Sequence, residues 1–130
     1  MVKQIKETET EKKNEKEEWI ESWTTGRFAE ADKDVITFIA DILFHGDSGV
    51  IYNLFACGYC YYFACMLKEA FGRGTVCWHK GFSHVVWVDE DDIAYDIGGI
   101  FMDYEKGGLV PIEELGEQVI QFKHTPLRNR

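Results

Sequence analysis

The feature that most constrains this chain is a change of hydrophobic period at Gly72-Arg73-Gly74. Before it, Cys57–Phe71 is apolar on almost every side, which predicts a buried central helix starting near Tyr59 and stopping at Gly72. After it the period falls to two. Thr75–His79, Ser83–Val88 and Ile93–Ile97 are short segments rich in Val, Ile, Trp and Tyr, the pattern of strands. A helical period followed by short strands with tight turns predicts an α+β fold, with the central helix packed on one small antiparallel sheet.

The rest of the chain fits around that core. Residues 1–18 are mostly Lys, Glu, Thr and Asn, a composition that buries too little apolar surface to hold a fixed structure alone. They read as a charged N-terminal tail, with room for a frayed helix because Glu and Lys recur at helical spacing. Residues 19–130 read as a single domain, a usual length for one. Asp32 or Asp34 can cap a helix carrying Val35, Ile36, Phe38, Ile39, Ile42 and Leu43, with Gly46 as its stop. Residues 45–53 read as a loop. The Gly98–Gly99 pair reads as a strand-end turn, Pro111–Gly116 as a short helix and Val119–Lys123 as a last strand.

Composition narrows the function class. The net charge of −9 argues against a phosphate-binding surface, so nucleic acid is not an expected partner. No apolar run reaches the ~18 residues that span a bilayer, and the N-terminus lacks the apolar stretch of a signal peptide. The expected compartment is the cytoplasm, with the four cysteines reduced. Cys57, Cys60 and Cys65 fall within nine residues, too clustered for a disulfide framework.

Three residues carry the chemistry. Cys60 falls in the first turn of the central helix, where backbone N–H groups and the helix dipole favour a thiolate. His84 opens the strand His-Val-Val-Trp-Val, and Asp96 lies in the next, Ile-Ala-Tyr-Asp-Ile. With a three-residue loop at 89–91, Val88 pairs with Asp92, Val86 with Ala94 and His84 with Asp96. Direct partners have Cβ atoms ~4.5–5.5 Å apart on one face, which would set a carboxylate beside the imidazole. A loop of two or four residues would send the two side chains to opposite faces.

The order Cys60, His84, Asp96 on helix, strand and strand resembles the core of the papain-like and transglutaminase-like cysteine hydrolases. Cys57-Gly-Tyr-Cys60 is similar to the papain active-site segment, whose second cysteine is the nucleophile, and Ser83–Gly99 to the His and Asp strands of small transglutaminase-like proteins. The resemblance covers about residues 50–125. It implies a thiol-dependent acyl-transfer enzyme (protease, amidase, deamidase or transglutaminase) acting on a protein or peptide, with no metal and no cofactor. It also implies an upstream amide side chain at the oxyanion. Asn53 is the nearest, seven residues before Cys60, although the papain-like spacing falls on Leu54. Asn53 and Tyr59 are the candidate oxyanion or substrate contacts.

The same residues admit other readings. A strand, Cys57-Gly-Tyr-Cys60 and a helix would resemble a thioredoxin-like disulfide oxidoreductase, but such folds need a facing proline, and of the two here Pro111 precedes helix-like Ile-Glu-Glu-Leu. Cys57, Cys60, Cys77 and His79 could be zinc ligands, although a one-residue gap between Cys77 and His79 is unusual. A third alternative is a non-catalytic interaction module on the hydrolase-like fold.

Overall fold

The computed structural model describes residues 9–81, 83–102 and 108–118. The chain divides into two compact units, residues 1–48 and 49–130. In the first, helix α1 (Glu9–Ser22) carries Lys16 into an ion pair with Asp41 of helix α2 (Lys33–Leu43). The Lys/Glu stretch expected as a tail is therefore helical from Glu9 onward. Trp19 meets Trp23 and Phe44 edge-on at 6.3 and 6.2 Å, so aromatic contacts tie the end of α1 to the end of α2. Asp32 caps α2, accepting hydrogen bonds from the Asp34 and Val35 amides at 2.9 and 3.4 Å. The helix stops at Leu43, three residues short of Gly46.

The second unit holds helix α3 (Ser48–Cys57) from Gly49 onward, helix α4 (Cys60–Phe71) and a sheet of β1 (Thr75–His79), β2 (His84–Val88), β3 (Ala94–Asp96), β4 (Gly99–Ile100) and β5 (Leu109–Pro111). Every neighbouring pair is antiparallel, in the order β4-β3-β2-β1-β5. The α+β class is as the sequence predicts. Helix α4 lies on the sheet, with Phe63, Ala64 and Leu67 fully buried and Phe71 stacked on Trp87 at 5.8 Å. Gly72 ends it in the left-handed conformation, φ 65°.

Several expectations need correction. The presumed loop at 45–53 contains most of the first two turns of α3: Asp47 stands just before it, a residue type that starts helices, and Phe55 packs on Phe63 at 5.2 Å. Helix α4 is not buried all round; Met66, Lys68 and Glu69 face solvent and one stripe is covered. Pro111 ends edge strand β5, where its missing N–H costs no ladder bond, and a 3₁₀ segment, Ile112–Gln118, follows. Gly99 belongs to β4 rather than to a plain turn. The strand expected at Val119–Lys123 lies outside the described residues.

The hairpin register also differs, by two residues. Val88 pairs with Ala94, not Asp92. Asp89 is the cause: its Oδ1 accepts from the Asp91 and Ile93 amides at 2.9 and 3.0 Å, and its Oδ2 accepts from the Tyr95 hydroxyl at 3.3 Å. These bonds stabilise a five-residue loop, 89–93, with Asp92 at φ 65°. Because two is the side-chain period of a strand, the faces are preserved.

Candidate active site

Helix α4 begins at Cys60 with no side-chain cap: Tyr59 precedes it at φ −114°, ψ 26° and forms no capping hydrogen bond. First-turn amides have no acceptor within their own helix. The Cys60 sulfur meets that need in part, taking hydrogen bonds from the Tyr61 amide and, across from the sheet, the Val85 amide.

The third partner of the sulfur is the His84 imidazole at the start of β2. The observed register, carried on, sets Asp96 opposite Val86, so His84 and Asp96 are diagonal neighbours on one face. Diagonal pairs stand ~7–8 Å apart, within reach of long side chains. The distal ring nitrogen spans the gap: His84 Nε2 lies 2.8 Å from Asp96 Oδ2. That leaves Nδ1 for the thiol. Asp96 is itself fixed, its Oδ1 accepting from the Gly98 amide at 2.8 Å. Phe101 flanks the imidazole at 5.3 Å. The His84 and Asp96 side chains retain 14% and 19% of their exposure, so the pair is sheltered but not sealed.

The electrostatics follow from these contacts. Burial opposes ionisation of Cys60, but hydrogen bonds from His84 and the Val85 amide, the imidazole charge and the Tyr61 amide outweigh it, and the thiol is held below its ordinary value. Burial likewise disfavours a charged His84, yet its bond to Asp96 and its contact with Cys60 push it up to about 9. Both shifts favour a thiolate beside an imidazolium at neutral pH.

The other expected residues make no hydrogen bond to the Cys60, His84 and Asp96 side chains among the described residues. Asn53 is exposed on α3 and makes no hydrogen bond to the site among the described residues. Tyr59 is half-buried, its ring against Tyr62 at 5.8 Å. Cys77 is buried in β1, opposite Val86 and Pro111. No group of three or more His, Cys, Asp or Glu side chains is placed to hold a metal ion among the described residues. The segment before Cys57, a strand in the disulfide-exchange reading, is helix α3. Sequence reasoning missed Tyr52 and Phe101, the aromatic neighbours of the Asp96 turn and of His84; the Asp-Ile-Gly spacing of 96–98, apt for an Asp side chain to accept from an amide two residues on, was the available signal.

No curated protein and no solved structure matches the chain. A family model does: the one described as Phage YunG-like protein matches residues 35–129, a span that contains Cys60, His84 and Asp96. That span is well over half of the sequence, and the chain therefore belongs to the Phage YunG-like protein family.

Proposed function

We propose that this protein is a thiol-dependent acyl-transfer enzyme of papain-like or transglutaminase-like type, acting in the cytoplasm on an amide, isopeptide or thioester of a protein or peptide. The observation that carries this reading is the line Cys60–His84–Asp96, with His84 Nε2 2.8 Å from Asp96 Oδ2 and the thiol on the other side of the ring. The Cys60 thiolate attacks the carbonyl carbon, and the charge that develops on oxygen is met by amides of the first turn of α4. His84 gives its proton to the leaving group as the tetrahedral intermediate collapses to a thioester on Cys60. Water or an amine then adds to the thioester, His84 takes the acceptor's proton, and the thiolate is released. Asp96 keeps the ring oriented and stabilises the imidazolium throughout.

p-Nitrophenyl acetate, a generic acyl donor, tests this directly. The expected result is a burst of nitrophenolate of about one equivalent, the kinetic mark of a covalent intermediate, with one acetyl group on the peptide containing Cys60. Absence of the burst, or acetylation that persists in Cys60→Ala, would leave the domain an interaction module on this fold.

A further inference from the structure

Gly98 poses a question that backbone conformation does not answer. Glycine is needed where φ is positive, as at Gly72, Gly74 and Gly99, but Gly98 has no such angle. The constraint is spatial. A Cβ at position 98 would lie 3.2 Å from Cε1 of Tyr52 and 3.3 Å from Oδ1 of Asp96. The Tyr52 ring thus rests on the bare backbone of Gly98, beside the carboxylate that holds His84. The hydroxyl is farther from that point, at 3.8 Å, so the contact belongs to the ring. Tyr52 comes from α3, the helix that leads into Cys60, and remains 46% exposed.

We propose that Tyr52 and Gly98 are a positioning pair for Asp96. The ring walls the outer side of the Asp96–Gly98 turn, keeping Oδ1 on the Gly98 amide and Oδ2 on His84. Neither residue touches substrate in this role; both act through Asp96. The proposal rests on the Cys60–His84–Asp96 reading, and it makes α3 part of the machinery rather than a connector.

The test is an NMR titration of His84 in the full chain, assigned with His84→Ala, in the parent and four variants. The expected result in the parent is a His84 titration raised to about 9. In Tyr52→Phe, which keeps the ring, it stays there. In Tyr52→Ala and in Gly98→Ala it falls by about one pH unit or more, as Asp96 loosens or is pushed aside. The double variant falls no further than the worse single one, because both changes act on one contact. An unmoved His84 in Tyr52→Ala overturns the proposal while leaving the catalytic reading intact. A parent His84 with an ordinary value overturns both. If Gly98→Ala fails to fold, the comparison of Tyr52→Ala with Tyr52→Phe decides, since a half-exposed ring is removed at little cost to the fold.

Discussion

The start of α4 and the middle of β1 each place a cysteine out of free contact with water, and they treat it in opposite ways. At Cys77 burial and the charge of Glu114 push the thiol up to about 11. At Cys60 burial acts in the same direction but is outweighed, because an imidazolium and two amides face the sulfur. Shelter alone makes a thiol inert; shelter with donors pointed inward makes a nucleophile. The α4 start supplies such donors because a helix end has spare amides and a strand beside it has His84. The β1 interior cannot, since its amides are spent on β2 and β5.

This contrast is open to attack. The largest expected effect is between the two thiols themselves. With a value near 11, about one in ten thousand Cys77 thiols is ionised at pH 7, whereas Cys60 is held below the ordinary thiol value, so iodoacetamide should label Cys60 far faster, read by mass spectrometry of the native chain. Unfolding in denaturant should erase the difference. Comparable native rates would show that the two environments are not distinct.

Next come the residues that create the difference. His84→Ala removes the proton acceptor and donor, and acetyl transfer through Cys60 should fall by about a hundredfold or more. Asp96→Asn leaves the imidazole in place but weakens its charge, so the loss should be nearer to tenfold, with the His84 titration moving down from about 9. An Asp96→Asn effect as large as that of His84→Ala would mean that orientation, rather than ionisation, dominates.

The smallest effect is on stability. The His84 value is raised above its unfolded value of 6.5, so the folded state binds that proton more tightly. This contribution is fully present below about pH 6.5 and is lost as pH rises through about 9. His84→Ala should therefore flatten the dependence of Tm on pH between those limits. A profile that keeps its parent slope would assign that slope to other groups.

The three candidate residues were legible because each carries its own local signal: a cysteine at a helix start, a histidine and an aspartate at matched positions of consecutive strands. Their geometry survived a wrong register only because the error was even. Asp89 lengthened the hairpin loop by two residues through its own carboxylate, and a shift of one would have separated His84 from Asp96. Helix α3 was not legible. Gly49 and the β-branched Val50 and Ile51 mimic a loop and a strand, while the contact that holds the helix, Phe55 on Phe63, spans the turn at Gly58. Tyr52 was hidden for the same reason, since its partner Gly98 is forty-six residues away and meets it only in the folded unit. Tertiary contact, not propensity, decides both.

The central claim is that Cys60 rests as a thiolate beside a protonated His84. The most direct measurement is the rate of Cys60 alkylation by iodoacetamide against pH, in the parent and in His84→Ala. The expected result is a parent rate that reaches its plateau below the ordinary thiol value, and a His84→Ala profile displaced to higher pH. A parent profile that rises only near pH 9 and coincides with that of His84→Ala would contradict it.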